Sequence, residues 1–250
     1  MGAISWHEYK DRIKRYFWFN KTELRDFLFV VLFFGLIFSF DKWGGAAFNL
    51  IEGLKNLMLA FVLVAISIFI HHAVQRLAAL YLGYKPEQRI WWLGILLGLA
   101  VIFFSNGRIM IFAGTYLMIH MMTKQRLGKY RYGPSMKSFG YVAMLGPVAN
   151  LLFAGILKAI NMNIGSPTLD AFVGLNLLLA LYNTIPFPPL DGSRLMFGSR
   201  LGYFFFIGGM LGFLVFFYVL ALSILLCLIL AFILGIIFWL IFYIAFERFL

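Results

Sequence analysis

Asn183-Thr184-Ile185-Pro186-Phe187-Pro188-Pro189-Leu190-Asp191-Gly192 closes one apolar segment on a carboxylate, and His71-His72-Ala73-Val74-Gln75 lies inside another. Pro186, Pro188 and Pro189 fix φ and lack a backbone N–H, so a helix arriving from Leu169 stops there. About 20 consecutive apolar residues suffice to cross a membrane. Broken backbone at that depth is tolerated only where it is buried in protein or lines a cavity. Ionisable side chains at the same depth are costly and are functional candidates by default. These two stretches therefore set the fold class, helices packed in a membrane, and mark where chemistry would sit.

The rest of the sequence agrees with that class. Of its 250 residues 63% are hydrophobic and only 12% charged, against about half and a quarter in a soluble domain. The net charge of +11 reads as basic loops facing anionic lipid headgroups. No aromatic-basic nucleic-acid motif accompanies it, so a nucleic-acid partner is not expected. Cys227 stands alone in an apolar run, which leaves the redox compartment unread. Residues 1–26 lack the pattern of a cleavable signal peptide. There Trp6, Tyr9, Ile13, Tyr16 and Phe17 alternate with Lys10, Arg12, Lys14 and Arg15, as in an amphipathic helix lying on a membrane surface.

Apolar segments follow at 27–40, 56–82, 90–104, 139–160, 169–185 and 201–246, the last long enough for two helices. The stretch 108–122 reads equally as a short span, a re-entrant hairpin or a sheet. The expectation is an all-α polytopic membrane protein of about six to seven transmembrane segments, with a small β or re-entrant element at 108–122. It forms a single membrane domain over 1–250: a surface N-terminus at 1–26, a core at 56–200 and two spans within 201–246. Lys124, Arg126, Lys129, Arg131 and Lys137 fill one loop without an acidic residue. The positive-inside rule then puts 123–138 and 186–200 in the cytoplasm and 161–168 outside, with both termini cytoplasmic. His71 and Asp191 then fall at similar depth. Gly94/Gly98 and Gly208/Gly212 have the spacing of close helix contacts, and Trp91 and Trp92 read as an interfacial belt.

On a helix, His71 and Gln75 share a face while His72 points about 100° away, aligned with Arg76. One reading of this group is interfacial, with Arg76 snorkelling towards headgroups. The other is that an imidazole and a carboxylate from separate spans meet as a metal site. Asp191 alone reads equally as a helix N-cap.

Asn183-x-x-Pro186-x-x-x-Leu190-Asp191-Gly192 resembles the signature of the site-2 protease family of intramembrane zinc metalloproteases. Gly146-Pro147-Val148-Ala149-Asn150 is similar to that family's Gly-Pro-x-x-Asn segment, and His71 to Gln75 occupies the slot of its His-Glu-x-x-His helix. The resemblance covers residues 56–200. It implies zinc held by His71 and Asp191, and substrate held by Asn150, Asn183 and Pro186. Two positions depart from the pattern: His72 stands where the family has its general-base glutamate, and Gln75 where it has its second histidine ligand. A catalytic zinc needs about three protein ligands and an open fourth position, and loss of a general base costs about 10²- to 10⁴-fold in rate. Zinc is therefore expected to be weak or absent, with Gln75 a poor ligand. His72 is a doubtful base, and His120 a conceivable replacement ligand.

The expected function is an inactive homologue that binds a transmembrane or membrane-adjacent protein segment, with membrane lipids as its other partner. The alternatives are an active zinc-dependent protease with non-standard ligands and a small channel or transporter with His71, Asp191 and Arg76 lining a polar path.

Overall fold

A computed structural model describes residues 4–44, 47–122, 135–220 and 222–249. Of the basic loop used to assign orientation, residues 123–134 lie outside the described residues. The chain is mostly helical. Helix α1 (Trp6–Tyr16) is followed by α2 (Lys21–Phe38) and the long α3 (Leu50–Leu82); strand β1 (Tyr84–Ile90), α4 (Trp92–Phe104) and β2 (Thr115–Met121) come next. Then come α5 (Met136–Ile164), α6 (Pro167–Thr184), α7 (Asp191–Gly198), α8 (Arg200–Leu214) with a π turn at Val215–Val219, and α9 (Ile224–Ala245).

Among the described residues four helices are long and apolar enough to cross a membrane: Leu50–Leu82, Met136–Ile164, Arg200–Tyr218 and Ile224–Ala245. That is what an integral membrane protein requires. Helices α2 and α6 fall short because α2 opens on Lys21, Glu23, Arg25 and Asp26, while α6 carries Asp170, Asn176 and Asn183. Helix α4, with 13 residues, is about 20 Å long against a hydrocarbon core of about 30 Å. The packed interior runs from Phe34 and Ile37 of α2 through Val64 and Ile68 of α3 to Leu175 and Leu179 of α6 and Met210 of α8. Helix α9 buries only 17% of its most apolar window, so most of its Leu, Ile and Phe side chains face outward, as lipid-facing positions do.

Within 108–122, Thr115–Met121 forms a strand and 108–114 is irregular, so the stretch is not a helical span. Helix α3 ends at Gly83, whose φ of 87° suits a residue without Cβ. The chain then runs out as β1, antiparallel to β2, with Tyr84 opposite Met121 and Ile90 opposite Thr115. Strand β1 has no strand signature in the sequence, because Lys85-Pro86-Glu87-Gln88-Arg89 has neither alternation nor β-branched residues. A two-stranded sheet tolerates its proline, since both strands are edges. Helix α4 ends at the turn sequence Ser105-Asn106-Gly107, with positive φ at Asn106 and Gly107.

The two glycine pairs part company. A Cβ on Gly208 or Gly212 would strike Phe238 or Leu234 of α9, so this pair is a helix contact. A Cβ on Gly94 would lie 1.7 Å from the Ala113 carbonyl oxygen, and one on Gly98 2.8 Å from that of Ile111. This pair seats the extended run into β2, not a helix.

Candidate functional site

Helix α5 sets the site by what it lacks. Pro147 has no N–H to donate, so the Ala143 carbonyl loses its ordinary i−4 partner inside the helix. The Gln75 side chain, from α3, supplies the replacement: its Nε2 donates to Ala143 O at 3.0 Å. Gly146 allows the approach, since a Cβ there would stand 2.4 Å from His71 Nε2 and 2.5 Å from Gln75 Nε2. The Gly146-Pro147 pair therefore opens a gap and frees a carbonyl, and α3 fills both.

Asp191 reaches the same point from the far side of the proline break. Gly192 lies against the end of α6, where a Cβ would fall 1.9 Å from the Thr184 carbonyl oxygen. Asp191 is the first residue of α7 and its side chain makes no capping hydrogen bond; the N-cap is Leu190. The N-cap alternative is thereby corrected. Arg194, one turn on, donates to the Leu117 carbonyl and ties α7 to β2.

The side chains meet in one buried network. His71 Nε2 is 2.9 Å from Asp191 Oδ2, and Gln75 Nε2 donates to the same oxygen at 2.8 Å. Asn150 Nδ2 is 3.3 Å from His71 Nδ1. His72 Nδ1 is 3.2 Å from Gln75 Oε1, and His72 Nε2 is 3.0 Å from Thr115 Oγ1. Gln88 Nε2 donates to that hydroxyl at 3.2 Å. All of these side chains are buried.

Acceptors fix the direction of the bonds. Gln75 faces a carboxylate and a carbonyl on one side, so its NH₂ must point there; the flipped amide would set oxygen against two acceptors. Its Oε1 then takes the proton of His72 Nδ1. A neutral His72 accepts at Nε2, leaving the Thr115 hydroxyl to donate. Proton donation thus runs Gln88 to Thr115 to His72 to Gln75 to Asp191 from one side, and Asn150 to His71 to Asp191 from the other. The network converges on one carboxylate. Asp191 Oδ1 and Asn150 Oδ1 remain buried acceptors without a hydrogen-bond partner.

The other sequence-singled residues lie elsewhere. Asn183 is buried and donates to Leu179 O within its own helix at 2.8 Å. Pro186 is exposed at the break, beside Phe187, whose ring packs 5.8 Å from that of Trp91. His120 sits on β2, 3.5 Å from the Glu87 carboxylate, and does not join His71. Arg76 neither snorkels nor lines a polar path. It is 1% exposed and paired with Glu23, with Nη1 to Oε1 at 3.0 Å. Its guanidinium lies 4.7 Å above the Phe19 ring. Glu23 also accepts from the Gln88 backbone N–H at 2.8 Å and the Asn20 N–H at 2.9 Å. A helix start, α3 and β1 are thus locked together one residue from Gln75.

The donor set can be tested against zinc. Among the described residues no group of three His, Cys, Asp or Glu side chains is placed to hold a metal. His71 and Asp191 offer two ligands. The third side chain, Gln75, turns N–H groups, not lone pairs, towards Asp191, so the set does not make a catalytic zinc site. His72 faces Thr115 and Gln75, away from the position of a base acting between His71 and Asp191.

Over 185 residues, covering 72% of this chain and 86% of the relative, the sequence is 23% identical to a protein of Methanocaldococcus jannaschii described as a "putative zinc metalloprotease". No family model matches the chain, and no solved structure matches it. The likeness is to a metallopeptidase-type protein, carried by a chain whose own donor set departs from zinc.

Proposed function

We propose that this is a multi-pass membrane protein on a site-2-protease-like scaffold that has lost peptidase chemistry. In this reading its central helices receive a transmembrane or membrane-adjacent segment of another protein. The observation that carries it is the orientation of Gln75, whose NH₂ bridges Asp191 and Ala143 at 2.8 and 3.0 Å. That amide occupies the second-histidine slot with a group that neither ligates a metal nor takes a proton. Counting α2 and α6 with the four long helices gives six spans, and the shorter α4 makes about seven.

Segment binding has its own support. Asp191 Oδ1 and Asn150 Oδ1 are acceptors that backbone N–H groups of an unwound segment would satisfy. Ile185 and Phe187 stand 41% and 53% exposed on the break leading to Asp191, an apolar approach. The test is a photo-crosslinking residue at Phe187 in the full chain in nanodiscs, presented with helical transmembrane peptides. An adduct carrying the intact peptide is expected; absence of any adduct, or cleavage that stops with a chelator, contradicts the reading.

One observation favours the rival, an active zinc protease: His71 Nε2 and Asp191 Oδ2 are near enough to share an ion. That reading requires chelator-sensitive cleavage abolished by His71→Ala.

A further inference from the structure

Helix α1 presents two different faces. At about 100° per residue, Trp6, Ile13 and Phe17 fall within about 40° of one another, flanked by Lys10 and Lys14. Tyr9, Arg12 and Tyr16 lie about 90° round the helix. The second face is docked. Arg12 is buried and its Nη1 donates to Leu80 O at 2.9 Å, while Tyr9 Oη donates to Leu77 O at 3.2 Å. Leu80 is among the last four carbonyls of α3, which have no partner within the helix, and Leu77 lies just before them. Leu80 O also accepts from the Gly83 N–H at 3.2 Å.

On the first face Ile13 and Phe17 are half-buried, whereas Trp6 is 67% exposed, with Lys10 Nζ held 5.4 Å over its ring, and Trp18, just beyond the helix, is 71% exposed. Helix α2 begins at Lys21 and turns wholly apolar after Asp26. Helix α1 therefore lies at the level where α2 enters the apolar layer. An exposed indole with ammonium groups beside it at that level complements an anionic headgroup surface.

We propose that α1 is a lipid-operated clamp: Lys10, Lys14 and Trp6 bind the anionic surface of the protein's own membrane, and Arg12 and Tyr9 thereby hold the last turn of α3. That turn follows directly on Gln75 and Arg76, so lipid charge is coupled to the end of the helix that carries the central network. The coupling is independent of whether a segment binds there.

The test is hydrogen exchange on the full chain in nanodiscs of phosphatidylcholine alone or with phosphatidylglycerol. In the wild type, amides 79–82 should exchange more slowly with the anionic lipid, by about fivefold for each lysine engaged. Lys10→Glu/Lys14→Glu should abolish the difference. Arg12→Met should speed exchange at 79–82 in both lipids while α1 still responds to lipid charge. Equal wild-type exchange at 79–82 in both lipids overturns the clamp, as does a response retained in the Lys10→Glu/Lys14→Glu variant or an equal slowing in α9.

Discussion

If Gln75 occupies its place because Pro147 strands the Ala143 carbonyl, substitutions at the two positions must be coupled. Gln75→Leu keeps the volume and removes three contacts: with Asp191 Oδ2 at 2.8 Å, Ala143 O at 3.0 Å and His72 Nδ1 at 3.2 Å. Neutral interhelical bonds inside membrane proteins average about 0.6 kcal/mol, whereas hydrogen bonds to charged groups contribute about 1.5–3 kcal/mol. One charged and two neutral contacts put the loss at about 3 kcal/mol. Pro147→Ala gives residue 147 an N–H that closes the helix bond to Ala143 O. In that background the carbonyl is no longer stranded, and Gln75→Leu should cost about 1 kcal/mol less. The assay is reversible unfolding in mixed micelles, followed by tryptophan fluorescence, for the wild type, both single variants and the double. Independent sites add within about 0.3–0.5 kcal/mol. Additivity within that margin would refute the claim that the proline recruits the glutamine, and so would a Gln75→Leu penalty below about 1 kcal/mol.

Further outcomes follow from the charges outside the network. Arg76→Met strands Glu23 in a buried site and should destabilise by about 3–5 kcal/mol, with much of that recovered in Arg76→Met/Glu23→Gln; unfolding midpoints decide, and a single-variant loss below about 1 kcal/mol contradicts the buried pairing. On β1, the Lys85 hydrogen bond at 2.9 Å, ahead of the nearby Arg89 and His120, holds the Glu87 carboxyl below its ordinary value. A lowered carboxyl pKa stabilises the fold above the unfolded value of about 4.3, and the contribution disappears as pH falls through the folded value. The stability gap between wild type and Lys85→Met should therefore be present at neutral pH and close in acid; a gap independent of pH rules this out.

How far the sequence discloses this site depends on which contacts are local. The proline break, Asp191 and the polar pair on α3 are marked by residues that are costly in apolar segments, so their positions are visible in the chain itself. The partners of His72 are not: Thr115 and Gln88 arrive on a sheet whose first strand is polar and contains Pro86. Arg76 looks like a headgroup anchor until the helix start of α2 brings Glu23 against it from 53 positions away. Pro147 is itself a local signal. A proline at 147 inside a helix implies an unpaired carbonyl at 143, and a buried amide on the facing helix answers it.

At the centre of this reading, direct hydrogen bonds and not a metal join His71 and the Gln75 amide to Asp191. Elemental analysis of zinc in the purified full chain tests it most directly. The account predicts far less than one zinc per chain, unchanged by His71→Ala or Asp191→Ala. One zinc per chain, lost in either variant, would contradict it.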